Sequence, residues 1–166
     1  MLDASRDGQR IPPQGGINGK RPIMKMNTLI PELIVSDLNR SLDFYCQVLG
    51  FQIEYERPEH KFAFLSFQGS QLMLEQDDQE ASPWRVGPLS PPYGRGMNLS
   101  IQCSDSRALA KSLEDAGIEL RRPVEECWYR DNERLHGELN FLVLDPDGYL
   151  LRFRQSLGLR EVGHNR

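Results

Sequence analysis

The stretch Leu29-Ile-Pro-Glu-Leu-Ile-Val-Ser-Asp-Leu-Asn-Arg-Ser-Leu-Asp-Phe-Tyr-Cys-Gln-Val-Leu-Gly50 decides the fold. A strand-like apolar run ends at Val35, Ser36-Asp37 follows, and Leu38, Leu42, Tyr45 and Leu49 then recur at helical spacing. Ser36 or Asp37 can cap the exposed amides of that helix, and Gly50 suits the left-handed residue that terminates one. Strand candidates follow at residues 51–55, 62–67 and 71–75. The pattern then returns. Residues 98–103 form an apolar-alternating strand before Ser104-Asp105, a helix carries Leu109 and Leu113 and stops at Gly117, and strands are expected at 118–121, 138–144 and 149–154. The two Ser-Asp pairs lie 68 residues apart and the two terminating glycines 67. So constant an offset marks an internal duplication of a βαβββ unit.

Around this repeat the chain is ordinary in bulk. Its 166 residues suit one domain, with 39% hydrophobic and 27% charged residues. The expected organisation is a disordered tail (1–27), one domain (28–156) of modules 28–76 and 97–156 joined by loop 77–96, and a C-terminal tail (157–166). The loop holds Pro83, Pro88, Pro91-Pro92 and three glycines, which rules out regular structure there. Residues 1–25 carry five basic side chains against two acidic ones, so the net −4 of the whole chain leaves −7 on residues 26–166. An acidic body argues against nucleic acid, where Lys and Arg must neutralise phosphates. No apolar run is long enough to span a bilayer, so no membrane association is expected. Cys46, Cys103 and Cys127 are odd in number and lack Cys-x-x-Cys spacing, which points to reduced thiols and a cytoplasmic location.

The duplicated modules, Val35-Ser-Asp-Leu-x-x-Ser-Leu-x-Phe-Tyr45, Leu49-Gly-Phe51 and Asp145-Pro-Asp-Gly-Tyr-Leu-Leu151 resemble the glyoxalase/bleomycin resistance/dioxygenase (vicinal oxygen chelate) superfamily over about residues 28–155. The resemblance implies an α+β fold in which tandem βαβββ modules form a curved mixed sheet, with ligand on the concave face. Superfamily enzymes hold a divalent metal at four positions, and this chain departs from them. The first His position falls on Ile30, the second on Asn98 and the late Glu on Arg152. The remaining Glu position is Met73 or Glu75. A hydrocarbon cannot ligate, an amide is a weak donor and a guanidinium repels a dication, so no metal and no cofactor are expected. Gln71-Leu-Met-Leu-Glu75 and Asp145–Arg152 are most similar to the metal-free bleomycin resistance branch, which implies a homodimer trapping a cationic drug between subunits.

Strand alternation assigns faces. Leu72, Leu74, Leu99, Ile101, Cys103, Tyr149, Leu151 and Phe153 should meet the helices, and Phe44, Tyr45 and Phe67 belong to the core. The opposite face supplies the candidate ligand-binding residues Glu32, Met73, Glu75, Asn98, Ser100, Gln102 and Arg152, joined by Phe62 and Phe64, which share one strand face. Trp84 in the linker and Trp128-Tyr129 in an irregular segment complete the set, because loop tryptophans are costly to leave exposed without a partner. An ion pair between Arg152 and Glu75 is a natural expectation. No catalytic residue is assigned. The leading expectation is therefore an antibiotic-binding, ligand-sequestering protein. A metal-dependent lyase, thiol transferase or dioxygenase of the same superfamily is the alternative, with His60 or His136 as candidates for a metal site outside the family's positions. A metal-free enzyme using Glu32 or Glu75 as a base is a third reading.

Overall fold

The structure, a computed structural model, describes residues 24–78 and 84–162. The first module runs β1 (Glu32–Val35), α1 (Leu38–Leu42), a π-helical stretch (Asp43–Val48), β2 (Gln52–Arg57), a 3-10 turn (Pro58–His60), β3 (Phe62–Phe67) and β4 (Ser70–Gln76). The second runs β5 (Asn98–Gln102), α2 (Ser106–Asp115), β6 (Arg122–Asp131), β7 (Arg134–Leu144) and β8 (Leu150–Glu161). Each forms its own four-stranded mixed sheet, in the orders β1-β4-β3-β2 and β5-β8-β7-β6, with β1 parallel to β4 and β5 parallel to β8. The expected duplication is thus real in topology as well as in sequence.

Both helices begin as their sequences require. The Asp37 and Asp105 carboxylates accept from amides of the first turn, as N-caps do. A matching pair of glutamines, unnoticed in the sequence, supports each start: Gln76 Oε1 accepts from Leu38 N and Gln155 Oε1 from Ser106 N, both at 3.0 Å. Gly50 and Gly117 take positive φ (+79° and +74°) just past the helices, the conformation anticipated for them.

The inward faces of the two sheets share one apolar cluster. Leu33, Val35, Leu65 and Leu74 come from the first, Phe141, Val143, Leu151 and Phe153 from the second, and Tyr45, Leu49 and Leu113 from the helical segments. Phe67 meets Phe153 edge-on at 6.0 Å across the boundary. Because both sheets spend these faces on a common core, their opposite faces are left outside it. Burial of this many aliphatic and aromatic side chains is the dominant stabilising term.

Several boundaries differ from expectation. Residues 118–121 are not a strand; β6 starts at Arg122 and includes Trp128 and Tyr129, which the sequence placed in an irregular segment. β7 begins at Arg134 and β8 runs to Glu161, into the segment expected to be a C-terminal tail. Strong cross-strand pairing, Tyr129 with His136 and His136 with Leu159, overrides the weak apolar alternation there. Of the expected N-terminal tail, residues 1–23 lie outside the described residues. Asn27 is held to the sheet, its amide donating to Gln71 Oε1 at 2.7 Å and its side chain to Gly69 O at 2.8 Å.

Candidate functional site: two outward sheet faces

On the outward face of the first sheet, register places Glu32, Met73, Phe64 and Tyr55 in one row and Ile34, Glu75, Phe62 and Arg57 in the next. Phe62 and Phe64 are fully buried yet stand outside the common core. Tyr55 stacks on Phe64 at 5.2 Å, and the Arg57 guanidinium covers Phe62 at 3.8 Å from the ring centroid, a cation–π contact. Tyr55 and Arg57 were missed in the sequence because a β-bulge between Ile53 and Tyr55 breaks the alternation by which faces are assigned.

Glu32 and Glu75 meet on this face. Partial burial, the nearby Glu75 charge and a hydrogen bond with Glu75 push the Glu32 carboxyl above its ordinary range, while Arg57 opposes weakly. Like charges this close favour retention of a proton on one of them. The arrangement is chemically a pair of neighbouring carboxyls beside an aromatic cluster. Among the described residues neither carboxylate has an ion pair, so the expected Glu75–Arg152 bridge is absent within the chain.

The outward face of the second sheet is polar. Ser100 pairs with Arg152 and Gln102 with Arg154 across β5 and β8, and Asn98 sits opposite Leu150. Arg152 Nη2 donates to Ser100 Oγ at 3.1 Å, whereas its buried Nε has no hydrogen-bond partner. Arg154 is paired with Glu138 at 3.3 Å. The Asn140 side chain donates to the Tyr129 hydroxyl at 3.1 Å, which places Tyr129 on this face.

The two expected tryptophans are placed differently. Trp128 pairs with Gly137 in β7 and covers it on the opposite side of the sheet from Tyr129, with Arg160 stacked 3.7 Å above its ring. A Cβ at Gly137 would lie 2.5 Å from that indole, so the glycine is what admits it. Trp84, 72% exposed, borders a cavity of about 300 Å³ lined also by Tyr149 and by Glu32 and Ile34 of the first sheet. The acidic run at the start of the linker is partly neutralised: Arg85 pairs with Asp77 at 2.8 Å and approaches Asp78 at 3.8 Å.

The metal positions of the superfamily do not fit a metal here. Arg152 occupies the late Glu position and is bonded to Ser100, and Asn98 is held beside it in β5. No group of three His, Cys, Asp or Glu side chains that could hold an ion occurs among the described residues. His136 is turned to Asp131 at 3.1 Å, and His60 lies in the 3-10 turn.

Paired βαβββ modules with an aromatic, carboxylate-bearing face and a guanidinium-bearing face define the class: glyoxalase-type module proteins without the enzymes' donor set. The family model for the Glyoxalase/Bleomycin resistance protein/Dioxygenase superfamily matches residues 26–153, and the chain belongs to that superfamily. Bleomycin resistance proteins of Geobacillus stearothermophilus and Staphylococcus aureus are 26% identical to it over 137 residues, covering 77% of this chain and 96% of theirs. A protein of unknown function from Agrobacterium tumefaciens has the same fold, with a TM-score of 0.60 and 26% identity over 82% of this chain and 98% of that one. Among the described residues no helix is long and apolar enough to cross a membrane.

Proposed function

We propose that this protein binds and sequesters a bulky cationic ligand of the bleomycin type without metal and without chemistry. Binding takes place in a cleft that two copies build together, one giving the outward face of its first sheet and the other that of its second. The observation that carries the reading is Arg152, fixed on Ser100 where a metalloenzyme needs an anionic oxygen. The likeness to bleomycin resistance proteins along most of the chain supports it. Tyr55, backed by the buried rings of Phe62 and Phe64, offers an aromatic surface for a planar group, Glu32 and Glu75 attract positive charge, and Ser100, Gln102 and Asn98 supply hydrogen bonds that orient the ligand. Three unpaired thiols suit a reducing, cytoplasmic setting.

Isothermal titration of metal-free bleomycin into the purified protein tests this. Saturable heat with one site per chain and a micromolar or tighter constant is expected; no heat at micromolar concentrations removes the drug assignment. Recovery of the ligand unchanged after a long incubation separates trapping from turnover.

A further inference from the structure

The two outward faces of this chain each carry a charge that the chain itself leaves uncompensated, and the charges are opposite. On the first sheet, Glu32 and Glu75 share the outward face of the paired strands β1 and β4 with no ion pair among the described residues, and the Arg57 guanidinium on the same face is committed to the ring of Phe62. On the second, the Arg152 guanidinium bonds the Ser100 hydroxyl and has no carboxylate partner among the described residues. Arg154 two residues on shows the alternative, since it finds Glu138 within its own sheet. A guanidinium with no carboxylate beside it, and two neighbouring carboxylates with no ion pair, are each stabilised when a partner of opposite charge arrives.

The strands bearing these groups correspond. Glu75 lies on β4 and Arg152 on β8, each one strand in from the edge of its sheet and each paired in parallel with that edge strand. The two sheets commit their inward faces to one core, and within the chain Arg152 turns to Ser100 and not to Glu75. A two-fold axis that lays the first sheet of one copy opposite the second sheet of another brings β4 across from β8, and does so twice.

We propose that Arg152 of a second copy of this chain seats on the Glu32–Glu75 pair, closing each shared cleft with an ion pair between subunits. The inference rests on the two-copy cleft proposed above and names what fastens it. Two carboxylates against one guanidinium leave a net negative charge at this part of the face, so the pair can fasten the second copy and still draw a cationic ligand to the cleft.

The test is a charge exchange read by sedimentation equilibrium on the full chain. Wild type, Glu75→Arg, Arg152→Glu and the double variant are compared, with circular dichroism and melting curves to establish that each is folded. The wild type is expected to be a dimer. Each single exchange sets like charges against each other and should weaken dimerisation by about tenfold or more, while the double variant returns to within about threefold of wild type. A wild type that stays monomeric at ~100 μM, far above the constants typical of stable dimers, overturns both the shared cleft and this inference. A dimeric wild type whose single variants associate equally well, or whose double variant fails to recover, overturns the ion pair and leaves the shared cleft standing.

Discussion

The two ends of the boundary between the modules are built unequally. At one end, the turn between β7 and β8 is embedded in the first module. Asp147 accepts from Ser36 N at 3.0 Å, Ser36 Oγ at 2.6 Å and Arg40 Nη2 at 2.8 Å, and Asp145 accepts from the Tyr45 hydroxyl at 3.0 Å. Asp145 also holds its own turn together through the amides of Asp147 and Tyr149. At the other end, the equivalent turn between β3 and β4 offers one exposed contact, Ser104 N to Gln68 Oε1 at 2.8 Å. Duplication produced two similar joints, and only one became a polar clasp. The Asp-Pro-Asp-Gly motif, whose resemblance value lay in marking a metal position four residues on, has a structural purpose of its own.

This inequality can be broken most severely at Asp145. Asp145→Ala removes a buried acceptor and strands three donors, so a loss of about 2–4 kcal/mol in urea denaturation is expected. A loss below ~1 kcal/mol would show that the clasp contributes little. Gly137→Ala should cost about 1–3 kcal/mol, because the new methyl overlaps the Trp128 ring and must displace it; a shift in tryptophan emission reports the displacement, and unchanged emission with full stability contradicts it. Gln68→Ala, at the exposed joint, should change stability by less than about 0.5 kcal/mol. An effect matching that of Asp145→Ala would make the two joints equal after all. The thiols give the mildest contrast. Burial, with Glu56 and Asp43 nearby, pushes Cys46 up to about 11. Since only the thiolate reacts, alkylation of Cys46 should be slow at pH 8 and still accelerating above pH 10; a rate that levels off near pH 9 would refute the shift.

Inward-facing residues were readable from the sequence because burial imposes a strict period on them. Leu72, Leu74, Ile101, Cys103, Tyr149, Leu151, Phe153, Phe44, Tyr45 and Phe67 are buried as alternation or helical spacing required. The outward faces were only half legible. Glu32, Met73, Phe64, Phe62 and Glu75 come together on one sheet and Asn98, Ser100, Gln102, Arg152 and Tyr129 share a face of the other, but Trp128 does not join them. A reading by residue type cannot see that Gly137 makes room for an indole on the far side of the sheet. Nor could it see that the two sets belong to separate sheets, which is a property of how the modules pair their strands and not of any one strand. Within the chain Arg152 bonds Ser100 of its own sheet, and the expected Glu75–Arg152 bridge does not form.

The joint at Asp145 and Asp147 has a consequence for how this chain can be cut. Its partners, Ser36, Arg40 and Tyr45, all come from the other half of the molecule, so the halves are gripped by side chains and not merely tethered by the connecting loop. A gene severed within that loop would yield two polypeptides able to find each other in solution. The protein is thus a candidate for fragment complementation, with reassembly switched off by a single change at the turn.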